Sequence, residues 1–229
     1  MPIYNPAIKN LDMNELKRYS GLTKCTEFPQ RLLDQACTEA QIISQPKAIW
    51  QIYDYDANSA TILSPIPLTL PPTAISKHLA NSLKVIVIAV TIGAKLEEIV
   101  SDYFTRNEYT LGLLLDAAGT TAVEIAADQA CELIKQQANK EGYSTLFRFS
   151  PGYGQWDITV QPQILSLAHA EEINITATPT CMLLPRKSIT AVIGLTANVC
   201  KTGLDRTIQD SKCQQCQQVN CLARKDELL

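Results

Sequence analysis

RFSPGYGQWD, residues 148–157, gathers an arginine, a proline, two glycines and three aromatic rings in a chain with only nine glycines and 6% aromatic residues. Pro151 followed by Gly152 suits a type II turn: proline presets the second position and glycine accepts the positive φ of the third. The stretch lies between two helix-like runs, so it is a connection, and loops on a rigid scaffold are where function concentrates. Arg148 is the residue to explain, because its planar, permanently charged fork suits a carboxylate. The plain alternative is a structural salt bridge to Glu124 or Asp157. Trp156 reads as a core anchor.

Upstream of this loop, the run after Gly93 reads as long and helical. Leu111, Leu115, Ala118, Ala122, Ile125 and Leu133 recur at helical spacing, leaving Asp116, Thr120, Glu124 and Asp128 on one polar line four residues apart. Periodicity alone makes that line a solvated face. Further helices are expected at Met13–Tyr19, at Phe28–Ile43, after the PPT at 71–73 through Lys77 and Leu79, and at Gln163–Ala170. AIWQIYDYD (48–56) and SATILSPIPL (59–68) read as a strand and its return, and LKVIVIAVTIG (83–93) as a buried strand. NITATPTCMLLPRKSITAVIGLT (174–196) reads as two strands parted by a turn at Pro185, Arg186 and Lys187. Helices and strands alternate without a regular βαβ repeat, which predicts an α+β domain with an antiparallel or mixed twisted sheet and flanking helices.

Composition limits the function classes. The chain has 229 residues, 46% hydrophobic content and a formal net charge of −3. Without clustered Lys and Arg it is not expected to bind nucleic acid. The opening MPIYNPAIKNLDMNELKRY has no basic flank and apolar core of a secretory signal, and the longest apolar run, Val85–Ile92, is shorter than the roughly 20 residues a bilayer needs. A cytoplasmic protein with no membrane segment is expected. The KDEL at 225–228 is expected to be a coincidence rather than a retention signal, because Leu229 follows it.

Eight cysteines in such a chain read as thiols or metal ligands rather than a disulfide framework. Cys25, Cys37 and Cys131 fall in helix-like segments and are expected to be small buried apolar residues. SKCQQCQQVNC (211–221) is different: Cys213, Cys216 and Cys221, with Cys200 as a fourth ligand, could converge on a soft metal centre, an iron–sulfur cluster or zinc. The spacing matches neither the common ferredoxin run nor a paired zinc knuckle. Without metal the segment is an exposed thiol tail.

RFSPGYG, preceded by LLLDAAGTTAVE (113–124) and followed by MLLPRKSITAVIGL (182–195), resembles the activation domain of cobalamin-dependent methionine synthase, over roughly residues 10–197. The resemblance implies a domain at 1–197 and a Cys-rich tail at 198–229. It also implies binding of S-adenosylmethionine for the reductive remethylation of an oxidised cobalamin. By the same resemblance, Arg148 pairs with the methionine carboxylate, Glu124 with the ammonium group, and Gly152 lets the backbone approach the ligand. Tyr153 would lie between the sulfonium side and the corrin, with Pro151 and Gly154 completing the loop. One departure stands out: LKRYSGL places Ser20 and Gly21 where the multidomain enzyme carries a ligand-binding aspartate.

No cobalamin-binding DxHxxG motif and no folate or zinc–homocysteine module is present, so the implied role is as one component of a methionine synthase system. The expected partners are a separate corrinoid-binding protein, or methionine synthase modules, and an electron donor such as flavodoxin or ferredoxin. The alternative is a corrinoid-protein docking or electron-transfer module that has lost methyl-donor binding and uses the cysteine tail as its redox element.

Overall fold

The computed structural model describes residues 3–25 and 27–197 of the chain. Strand β4 (Lys84–Thr91), KVIVIAVT, is buried along nearly its whole length, which is why its sequence is a continuous apolar run rather than an alternating one. It pairs antiparallel with β1 (Lys47–Asp56) on one side and β8 (Ser188–Ala197) on the other, in a register that aligns Trp50, Ile88 and Ala191. Strands β2 (Thr61–Leu63) and β3 (Leu68–Thr69) extend the sheet beyond β1, and β5 (Tyr143–Thr145) borders β8. The order is β3-β2-β1-β4-β8-β5, with every neighbouring pair antiparallel. This is the expected α+β class.

Two-residue alternation along these strands divides the interior. Trp50, Ile86, Ile88, Val90, Ala191 and Ile193 belong to a core shared with α1 (Met13–Tyr19), α2 (Gln30–Ile43), α4 (Lys95–Thr105) and α5 (Tyr109–Lys140). Ile49, Val85, Val87, Ala89 and Val192 belong to a second core with α3 (Ala74–His78), α6 (Gln161–Ala168), Phe149 and Trp156. The sheet is thus the middle of three layers.

Three sequence expectations change in detail. The helical run after Gly93 is two helices, because Asn107 adopts a φ of 61° and turns the chain between α4 and α5. The apolar stretch before Pro185 is a separate two-stranded ribbon of β6 (Thr176–Ala177) and β7 (Leu183–Leu184), closed by a turn in which the Cys181 amide donates to the Thr178 carbonyl. Cys25 lies beyond α1 and is exposed, its thiol donating to the Glu27 carbonyl, whereas Cys37 and Cys131 are half-buried in α2 and α5. Helix α5 has 32 residues, about 48 Å at 1.5 Å per residue. It is long and apolar enough by composition to cross a membrane, but most of its apolar window is buried inside the molecule.

Close approach of the layers is most severe at Gly194 in β8. A Cβ there would stand 2.3 Å from Ser82 Oγ, 2.8 Å from Leu146 Cδ1 and 2.9 Å from Leu79 Cδ2. Gly194→Ala is therefore expected to destabilise the protein by about 1–3 kcal/mol, the usual range for overpacking a filled interior, which corresponds to a fall in Tm of roughly 2–12 °C. A thermal melt reads it, and an unchanged Tm would mean that these neighbours move aside at no cost.

Candidate functional site

After β5 the chain keeps following β8. The Leu146 amide donates to the Gly194 carbonyl at 2.9 Å, and Phe149 and Val192 exchange both backbone hydrogen bonds at 2.9 Å. Phe149 belongs to the α3/α6 core, so alternation sends its neighbour Arg148 to the opposite side, toward α5. There Glu124 and Asp128 lie one helical turn apart. Arg148 Nη2 donates to Glu124 Oε2, and Nη1 donates to Asp128 Oδ1. The Arg148 side chain is 10% exposed, against 37% for Glu124 and 69% for Asp128. Burial disfavours the guanidinium charge, but the fields of Asp128 and Glu124 more than reverse that, holding its pKa above the ordinary arginine value.

The rest of the loop is shaped by local bonds. Tyr153 N donates to the Ser150 carbonyl at 3.1 Å across Pro151 and Gly152, and Gly152 has a φ of 92°, the conformation a type II turn requires at that position. Gly152 N and Trp156 N close the loop by donating to Trp156 O and Tyr153 O. Trp156 is buried beside Phe149, as expected of a core anchor. Gly154 has a structural cause: a Cβ there would stand 2.5 Å from Ala74 Cβ on α3. Tyr153 is 54% exposed. Asp157 is not a partner of Arg148; its carboxylate accepts from Thr159 N and caps the following turn.

The polar line on α5 is only partly solvated: Asp128 is exposed and Asp116 and Glu124 partly so, yet each pairs with a cation from another element. Its C-terminal half holds Arg148. Its N-terminal half holds Lys187, whose Nζ lies 2.9 Å from both Asp116 Oδ1 and Thr120 Oγ1 with the side chain only 12% exposed. Lys187 N also donates to Glu97 Oε1 on α4, and Arg186 Nε lies 3.5 Å from Glu97 Oε2. A cleft of about 350 Å³ opens beside this turn, lined by Val100, Ser101, Phe104, Leu113, Asp116 and Arg186. At the other flank, Tyr19 of α1 lies in the field of Glu124: its phenol pKa is pushed up first by burial and then by that carboxylate's charge. Arg18 stacks on the Tyr19 ring at 4.1 Å and pairs with Glu15.

Arg148 and Glu124, named from the sequence, are therefore in direct contact, with Pro151, Gly152, Tyr153 and Gly154 in the adjoining turn. Asp128 and Tyr19 were not expected as site residues, and Lys187 was expected only in the turn at 185–187. The signal for Asp128 was its position four residues after Glu124 on one helix face, and Tyr19 lies in the LKRYSGL stretch. Among the described residues no group of three or more His, Cys, Asp and Glu side chains is arranged to hold a metal ion. The four tail cysteines, Cys200, Cys213, Cys216 and Cys221, lie outside the described residues.

No protein-family model matches the chain, and no curated protein matches it. Among solved structures it is similar to a crystal structure of the MetH reactivation domain bound to AdoHcy, with a TM-score of 0.61, 12% identity, and coverage of 88% of this chain and 80% of that one. The two share a fold. At that identity the likeness carries the arrangement of layers and not the identity of individual side chains.

The Arg148 strap is also held from the α3 side. His78 Nε2 lies 3.0 Å from the Phe147 carbonyl, and its ring packs tilted against Phe147 with centroids 4.1 Å apart. A carbonyl only accepts, so Nε2 donates. Burial lowers the His78 pKa, and the bond to Phe147 opposes that only in part. A lowered imidazole pKa means that the unfolded chain takes up the proton first. Stability should therefore fall as pH drops through the unfolded value of about 6.5 and level off below the folded one. Thermal melts at pH 7 and 5 should show a larger loss for the wild type than for His78→Gln, which keeps a donor but cannot titrate. Equal losses would remove His78 from the acid response.

Proposed function

We propose that the protein reactivates a corrinoid-dependent methyltransferase such as methionine synthase, by presenting S-adenosylmethionine to a cobalamin held on a separate protein. The observation that supports this reading best is the contact between Arg148 and Glu124, on a fold shared with the MetH reactivation domain. A fork that engages carboxylates, next to a partly exposed carboxylate, suits the head of an α-amino acid. In this reading the ligand carboxylate lies on Arg148, its ammonium on Glu124, and its sulfonium side near Tyr153, with Gly152 leaving the backbone accessible. S-adenosylmethionine supplies the methyl group when bound: cob(II)alamin, one electron from a donor such as flavodoxin or ferredoxin, and the sulfonium give methylcobalamin and AdoHcy. The protein's own residues place the donor and set the local charge. The reading locates the protein in the cytoplasm with its corrinoid partner.

A second reading rests on a different observation. Arg148 already has two carboxylate partners, and Ser20 and Gly21 supply no further carboxylate after α1. A corrinoid-protein docking or electron-transfer module needs no methyl-donor site, and a cluster or zinc held by Cys200, Cys213, Cys216 and Cys221 would serve as its redox or structural element. Elemental analysis of anaerobically purified protein tests that centre.

Calorimetry separates the two. Wild-type protein is expected to bind S-adenosylmethionine, and Arg148→Ala to lose roughly ten- to a hundred-fold in affinity, the equivalent of about 1.5–3 kcal/mol for a charge-assisted bond. No saturation by the wild type at millimolar ligand would abandon the methyl-donor reading in favour of the docking module.

A further inference from the structure

We infer that Asp128 is a specificity-determining residue: an internal carboxylate that occupies the face of Arg148 a ligand must take, so that α-amino-acid zwitterions are accepted over simple carboxylates. The inference rests on the preceding reading only for which end of a ligand approaches Arg148. Its basis is the inequality within the cluster. Both terminal nitrogens of a nearly buried guanidinium are taken, one by Glu124, which is mostly covered and lies close to Tyr19, and one by Asp128, which is 69% exposed. The exposed pair is the weaker of the two, because solvent screens it, and it opens by side-chain rotation alone. The Lys187 cluster offers no such exchange. There Nζ is held by one carboxylate and a threonine hydroxyl, with no second carboxylate to displace.

Charge decides what can replace Asp128. Two carboxylates against one guanidinium leave the cluster with one negative charge in excess. A simple carboxylate that displaces Asp128 adds another negative charge and strands the Asp128 group beside it. A zwitterion brings its own cation: its carboxylate takes Arg148, and its ammonium meets the released Asp128 together with Glu124. One ion pair is exchanged for two, so Asp128 penalises bare anions and rewards amino acids. Selection of this kind, by a repulsive element as well as an attractive one, is how specificity is commonly built.

The test uses L-methionine and its des-amino analogue, 4-(methylthio)butanoate, titrated against the wild type, Asp128→Asn and Asp128→Ala. Binding is read from the Arg148 side-chain Nε–H resonance, and folding is checked by thermal melt. Asp128→Asn should bind 4-(methylthio)butanoate about two- to five-fold more tightly than the wild type, the scale of one exposed ion pair, with a smaller gain or a loss for L-methionine. The preference for the amino acid should thus shrink, and the alanine variant should follow the same trend. An unchanged preference in both variants overturns the inference, as does an absence of binding by either compound to any of the three proteins at tens of millimolar. Should the preference shrink as expected while AdoHcy binds none of the proteins, the role of Asp128 stands and the methyl-donor reading falls.

Discussion

A cation drawn almost wholly out of water must be met by anions, since an uncompensated buried charge is costly. Arg148 and Lys187 are such cations, with side chains 10% and 12% exposed, and helix α5 answers with Asp116, Glu124 and Asp128 on one line, each still partly in water. Lys187 lies immediately before β8, and Arg148 lies on the segment that pairs with its middle through Phe149 and Val192. These two clamps fix how α5 lies across the sheet. Arg148, the turn at 185–187 and the end of α1 are all arranged around that helix.

Small side chains make the clamps geometrically possible. Ala117, Ala118, Ala122, Ala126, Ala127 and Ala130 are buried on α5, which lets the helix backbone come close to its neighbours. A Cβ at Gly119 would lie 2.7 Å from Leu96 Cδ2 of α4. Bulkier residues at these positions would hold the helix away from its neighbours and draw Arg148 and Lys187 out of reach of its carboxylates. Packing and electrostatics are thus one constraint here: the buried alanines set the distance, and the ion pairs set the register and rotation of the helix.

What was legible in the sequence followed from periodicity. β4 announced itself as a continuous apolar run because both of its faces are covered, and the helical spacing of Leu115, Ala118 and Ala122 identified α5. The ProGly turn was legible because only a few residue types satisfy its dihedral angles. The short β5 was not legible, since three half-buried residues give no alternating signal; its pairing is imposed by β8. The break at Asn107 was missed because a single left-handed residue leaves little trace when both flanking segments are good helices. The polar line was read as solvated for a related reason: periodicity shows that polar residues share a face but not what that face meets. Arg148 and Lys187 arrive from 20 to 71 residues away in sequence, a separation at which local pattern carries no information.

The same cluster links the fold to the proposed chemistry through its net charge. With Glu124 and Asp128 against Arg148, and with Arg18 neutralised locally by Glu15, the surroundings of the site retain one negative charge in excess. An excess of that sign lowers the energy of a cationic ligand relative to a neutral one of the same shape, and more so where the guanidinium and its partners are partly shielded from solvent. S-adenosylmethionine carries a sulfonium charge that AdoHcy lacks. On the proposed reading, methyl transfer therefore removes the charge that the cluster favours at the moment the ligand has finished its task. Binding of the donor and release of the product then follow from one imbalance that helix α5 already needs Arg148 to moderate.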